Sequence, residues 1–121
     1  MDAETTVWGL FLNAKETRKI EKGTVIFTEG DRGAEMYGIV DGEVELRGKG
    51  GLVRRLGAHS VFCEMALVDE SPRSATAVAT TDATLATIDK HRFLFLVQET
   101  PTFALDVMAV MAERLRNATL G

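Results

Sequence analysis

Residues 61–79 read VFCEMALVDESPRSATAVA. One acid, Glu64, stands in an apolar run, and one base, Arg73, follows Pro72 and leads into small residues and then β-formers. The helix formers of CEMAL suit one short helical turn, which DESP ends. Backbone amides at the start of such a turn point outward unpaired and attract an anion. Arg73 offers a planar fork of donors to a phosphate. Ser74 can add a hydroxyl donor, and the small Ser74 and Ala75 let a ligand approach the main-chain amides. Glu64 would repel phosphate but suits hydroxyl groups such as those of a ribose. On this reading the acid and the base grip separate parts of one sugar phosphate. The residues fit a second reading equally, in which Glu64 and Arg73 pair with each other and close the loop, an arrangement that contributes little at a surface.

Upstream, nine of the eleven glycines lie between Gly23 and Gly57. Turn residues at that density, between short apolar stretches, predict consecutive hairpins. The stretches are TVIFT (24–28), EMYGIV (35–40), EVELR (43–47) and LVRRL (52–56), each of strand length with roughly period-two patterning. EGDRG (29–33) and DG (41–42) supply turns. Two further β-like runs, SATAVAT and ATLATID, follow the opening stretch and are divided by TD at 81–82.

Beyond Asp89 the composition changes. Asp89 is an N-cap for a helix over Lys90–Gln98, and Thr100 and Pro101 open a second helix running to Asn117. That second helix carries Phe103, Val107, Val110 and Met111 at helical spacing, and a neighbouring apolar row of Leu105, Met108, Ala112 and Leu115. So wide an arc exceeds one packing surface. It fits deep burial against the strands, or a second row that covers a ligand or pairs with another chain. A short N-terminal helix is expected near Glu4–Leu12. The order predicts one α+β domain over 1–121. Its body is an antiparallel β-barrel or jelly roll over about 15–89, with a short helix before it and two C-terminal helices over about 90–118.

Composition narrows the function. Fourteen basic against eighteen acidic residues give a net charge of −4, which disfavours direct nucleic-acid binding. The clusters Lys15/Arg18/Lys19/Lys22 and Arg54/Arg55 read as solvated strand faces. The single cysteine excludes an internal disulfide framework, no run reaches the roughly 18 apolar residues of a membrane span, and a cytoplasmic protein is expected. His59 and His91 are not at metal-ligand spacing from each other or from Cys63, so no metal is expected. Glu29 and Asp31 read as turn acids, and Trp8 and Tyr37 as packing residues. No catalytic arrangement is present, and no enzyme is expected.

The stretch from Phe62 to Thr76 resembles the phosphate-binding cassette of the cyclic nucleotide-binding domain family, which includes catabolite activators, kinase regulatory subunits and cyclic-nucleotide-gated channels. The family pattern is roughly Phe-Gly-Glu-hydrophobe-Ala-Leu, a short loop, then Pro-Arg-small-Ala-Thr. This chain has Phe62, Cys63, Glu64, Met65, Ala66 and Leu67, then Pro72, Arg73, Ser74, Ala75 and Thr76. GTVIFTEGDRGAEMYGIVDGEVEL is similar to the family's first hairpins, and the likeness covers about residues 15–118.

The resemblance implies that Glu64 binds the ribose 2′-hydroxyl and Arg73 the cyclic phosphate, with further donors from Ser74 and Ala75. Met65 and Ala66 would line the ribose side, and Met108, Met111 or Leu115 would cover the base. It implies a sensor of cAMP rather than cGMP, with no other cofactor, in which the terminal helices move as a lid. In the family a threonine after the arginine favours guanine, and Ser74 could imitate it. Cys63 stands where the family usually has glycine, at a point where the backbone meets the sugar. It fits a small hydrophobe, or a redox-sensing thiol. A family fold that has lost its ligand and serves as an interaction module is the competing reading, and the sensor half of a transcription regulator is a third. The partners implied are the nucleotide, a second copy in a homodimer, or an effector domain attached covalently or noncovalently.

Overall fold

The computed structural model describes residues 8, 9, 17–63 and 72–120. Among these residues eight strands form the body: β1 (Thr17–Ile20), β2 (Val25–Phe27), β3 (Glu35–Asp41), β4 (Val44–Arg47), β5 (Val53–Leu56), β6 (Val61–Phe62), β7 (Thr76–Ala79) and β8 (Ala83–Asp89). Two helices follow, α1 (Lys90–Glu99) and α2 (Thr102–Leu120). All strand pairs are antiparallel, in two four-stranded sheets ordered β1-β8-β3-β6 and β2-β7-β4-β5. This is the α+β jelly-roll architecture expected from the sequence. Trp8 and Gly9 are helical; the rest of the helix expected near Glu4–Leu12 lies outside the described residues, as does the turn expected from Glu64 to Leu67.

The first sheet is apolar on both faces, and that decides the layering. From β3, Tyr37 and Ile39 point toward the second sheet, where they meet Phe27, Val44, Leu56, Phe62, Ala77 and Leu85. Met36, Val61, Ala86 and Ile88 point the other way and pack with Leu96, Phe103, Val107 and Val110 of the helices. Successive strand residues alternate faces, so a sheet buried on both sides needs continuous apolar runs. EMYGIV and ATLATID are such runs. Their period-two signal is accordingly weaker than that of β4, where Glu45 faces out between Val44 and Leu46.

One strand, β6, was not singled out in sequence, and β1 was read only as the charged strand face around Arg18 and Lys19. β1 is a short edge strand whose residues TRK are exposed, so hydrophobic patterning carries no signal there. β6 contributes only Val61 and Phe62. The helix boundaries follow capping chemistry. The Asp89 carboxylate accepts from the Arg92 amide at 2.8 Å, which fixes the start of α1. Thr100 then joins the two helices, donating its amide to the Leu96 carbonyl and accepting from the Phe103 amide.

Gly42 is the tightest point of the sheet connections. Its φ is +96°, and a β-carbon there would lie 2.5 Å from the Asp82 carbonyl oxygen and 2.7 Å from the Ala83 Cα. The β3–β4 turn and the β7–β8 turn are pressed together by hydrogen bonds from Thr80 N to Glu43 O and from Glu43 N to Thr81 Oγ1. Neither side can yield. Gly42→Ala is expected to destabilise the fold by about 2–4 kcal/mol in a urea titration, combining left-handed strain with overpacking. Gly50→Ala, at φ +73° but facing open space, is expected to cost about 1 kcal/mol.

Candidate functional site

Arg73 is 7% exposed, although it carries a charge. Its backbone is stapled to the loop that the sequence presents as EGDRG. The Gly30 amide donates to the Arg73 carbonyl at 2.8 Å, and the Arg73 amide donates to the Asp31 carbonyl at 2.8 Å. Next to these, the Glu29 amide donates to Thr76 Oγ1 at 3.0 Å. Asp31 shapes the loop by accepting from the Thr28 amide through its carboxylate. The two turn acids thus also order the segment that presents the arginine.

The guanidinium is seated among neutral groups. Nη1 donates to the Glu35 carbonyl at 3.1 Å. The guanidinium carbon stands 4.7 Å from the ring centre of Phe27 and 5.6 Å from that of Tyr37. A β-carbon at Gly33 would fall 2.5 Å from Nη2, so only glycine leaves the guanidinium its seat. The ion pairs among the described residues join Arg18 to Glu35 and both Arg47 and Arg55 to Glu45, and none includes Arg73. Cation–π contacts stabilise a desolvated guanidinium by up to about 2 kcal/mol, yet they leave its charge in place. A buried charge without a counter-ion is costly. Among the described residues, then, no carboxylate neutralises the guanidinium.

Beside this segment lies a cavity of about 170 Å³ lined by Phe27, Leu46, Arg54, Phe62, Cys63, Ser74, Ala75 and Arg114. A wider hollow of about 850 Å³ opens from the same Ser74–Ala75 edge toward the β4–β5 tip, past Leu46, Leu52, Arg54 and Arg73. Of the expected site residues, Cys63, Arg73, Ser74 and Ala75 meet at these two spaces. Glu64, Met65 and Ala66 lie outside the described residues, and with them the choice between an ion pair and a two-part grip. The expected base-covering residues stand elsewhere: Met111 packs against the helix-side core, and Met108 and Leu115 are 56% and 69% exposed. From α2 it is Arg114 that reaches the cavity, where its guanidinium bonds the Val61 carbonyl.

Arg54 and Arg114 had no signal as site residues. Arg54 reads as half of a solvated RR pair, and Arg114 as one of several charges along a helix. Tyr37, expected only to pack, also carries the arginine, as does Phe27. Trp8 is buried and stacks on His59 at 4.9 Å. No three His, Cys, Asp or Glu side chains among the described residues are grouped to hold a metal.

Cys63 adopts φ +68°. The chain keeps the backbone conformation natural to glycine while carrying a side chain that packs against Phe27, Phe62 and their neighbours.

The profile of the family described as "Cyclic nucleotide-binding domain" matches residues 17–100. The chain belongs to the cyclic nucleotide-binding domain family. It is 35% identical over 116 residues to the cyclic AMP receptor protein of Thermus thermophilus, covering 92% of this chain and 54% of that one. It therefore spans about half the length of that relative. The crystal structure of the Thermus thermophilus catabolite activator protein superposes with a TM-score of 0.83 at 36% identity, over 95% of this chain and 56% of that one. A second structure, solved under the heading "A cyclic-GMP-dependent signalling pathway regulates bacterial phytopathogenesis", superposes with a TM-score of 0.82 at 26% identity, over 97% and 94% of the two chains. No helix among the described residues is long and apolar enough to cross a membrane.

Left-handed backbone costs an L-residue about 1–2 kcal/mol, and glycine gives back about 0.4–1 kcal/mol through its looser unfolded state. Cys63→Gly is therefore expected to be more stable than Cys63→Ala by about 0.5–1 kcal/mol, compared by urea midpoint. The opposite order is the rule at ordinary positions.

Proposed function

We propose that this chain is a sensor domain that binds a cyclic purine mononucleotide in the cavity beside Arg73 and performs no chemistry on it. The observation that carries the reading is the buried Arg73, held by a carbonyl and two aromatic faces with no carboxylate among the described residues paired to it. In this reading the guanidinium meets the cyclic phosphate and Ser74 and Ala75 supply further donors. Glu64 takes the ribose 2′-hydroxyl, and Met65 and Ala66 flank the sugar. The glycine-like φ of Cys63 supports a turn of the ordinary family shape at the sugar. The name of the Thermus relative supports cAMP, whereas the heading of the second structure points to cGMP.

Output would pass through α1 and α2. A ligand shifts a conformational equilibrium only as far as it prefers one state. Arg114 provides a contact on which that preference can act, because it joins the helix to the cavity wall. Met108 and Leu115 would reach the base only after α2 moves. The receiving element, whether an effector domain or a second copy in a homodimer, is proposed on the family's pattern. So is a cytoplasmic setting, with residues 1–121 acting as one unit.

Arg73→Ala is expected to weaken binding of either nucleotide by about 2–4 kcal/mol, on the order of a hundredfold by calorimetry. Unchanged affinity would exclude the assignment. Failure of the unmodified chain to bind either nucleotide would instead favour the ligand-free interaction module. Glu64→Gln is expected to weaken binding of the ribonucleotide more than of its 2′-deoxy analogue. Equal losses would remove Glu64 from the ribose.

A further inference from the structure

Glu35 meets two different arginines. Its carbonyl accepts from Arg73 Nη1 at 3.1 Å, and its carboxylate stands 3.8 Å from Arg18 Nη2. Strand pairing puts all three side chains on one side of the first sheet. Glu35 and Tyr37 are two residues apart on β3 with unbroken register, so their side chains leave by the same face. Arg18 lies opposite Leu85 of β8, whose side chain belongs to the core on that face. The guanidinium carbons of Arg18 and Arg73 accordingly lie 5.7 and 5.6 Å from the ring centre of the same residue, Tyr37.

Two acidic residues bond Arg73 through their main chain, and both turn their carboxylates elsewhere. Asp31 accepts from the Arg73 amide, and its carboxylate accepts from the Thr28 amide. Glu35 bonds the guanidinium itself, and its carboxylate is held by Arg18. The Arg18–Glu35 pair is half-exposed and adds little to stability. Its consequence is what the carboxylate is kept from doing. A buried guanidinium draws any anion within reach. A carboxylate that swung onto Arg73 would take the donors that a phosphate needs.

We infer that Arg18 is a positioning residue for the anion site: by holding the Glu35 carboxylate, it keeps Arg73 open to the phosphate of the nucleotide. The inference rests on the proposed function for its ligand. It gives a task at the site to a β1 arginine that the sequence presents only as part of a solvated strand face.

Calorimetry with cAMP and cGMP on the whole chain, on Arg18→Gln, on Glu35→Gln and on the double variant tests it. Arg18→Gln is expected to weaken binding of both nucleotides roughly threefold to thirtyfold, with a nearly unchanged urea midpoint. The same substitution made in Glu35→Gln is expected to change affinity by less than about twofold, because no carboxylate remains to be restrained. The nucleotide-free crystal structure of Arg18→Gln is expected to show the Glu35 carboxylate at ion-pair distance from the Arg73 guanidinium. Unchanged affinity in Arg18→Gln would overturn the inference. So would a loss that persists in the Glu35→Gln background, because Arg18 would then act by its own charge or through the fold. A Glu35 carboxylate that stays clear of Arg73 in the variant crystal would overturn it too. Each of these results would leave nucleotide binding itself standing. Absence of binding of either nucleotide to the unmodified chain would overturn the proposed function, and this inference with it.

Discussion

A single buried guanidinium organises this molecule. Arg73 would have no reason to stay folded inward if its surroundings were only apolar, and no reason to accept an anion if they already held a carboxylate. Among the described residues its seat avoids both outcomes. The Glu35 carbonyl and the faces of Phe27 and Tyr37 accept the cation without neutralising it. The loop between β2 and β3 makes that seat possible. It exchanges main-chain hydrogen bonds with the arginine and gives up its side chain at Gly33 so that Nη2 has space. A segment more than forty residues away in sequence thus determines how the charged group is presented.

The two-sided first sheet connects this seat to the rest of the fold. Tyr37 touches the guanidinium on one face of β3, while its neighbour Met36 packs toward the helices on the other. Val61 belongs to the helix-side core through its side chain and receives Arg114 through its carbonyl, one residue before Phe62 enters the cavity wall. Packed interiors behave as solids and have little free volume in which to absorb a displacement. The contact surfaces of the cavity and of the terminal helices are therefore neighbours along the same strands.

Much of the architecture was legible in the sequence because it is encoded locally. Turn glycines, the Asp89 cap and the Pro101 start each report a nearby backbone requirement, and the structure has its elements there. The edge strand β1 was read only as a charged strand face and the two-residue β6 not at all, since their pairing is decided by partners distant in sequence. In the site, Arg73, Ser74 and Ala75 were recognisable as a compact motif. Arg54 was not, because adjacent arginines look alike until strand alternation sends one to Glu45 and the other to the edge of the cavity. Arg114 was hidden in the same way, as one charge among several on a helix. Tyr37 was read as a packing residue and is buried, but its second duty, shared with Phe27, depends on a side chain distant in sequence.

The order of strands in the first sheet has a consequence for how the chain assembles. β8 lies between β1 and β3, and among the described residues the earliest strand pairs with the latest alone, Thr17 opposite Ala86 and Ile20 opposite Ala83. Closing that pairing brings together ends of the barrel separated by almost its entire length, and such closures are slow. On a ribosome, β1 would wait without a partner until Ala83–Asp89 had emerged. Its exposed arginine and lysine would meanwhile discourage the unpaired edge from joining other chains.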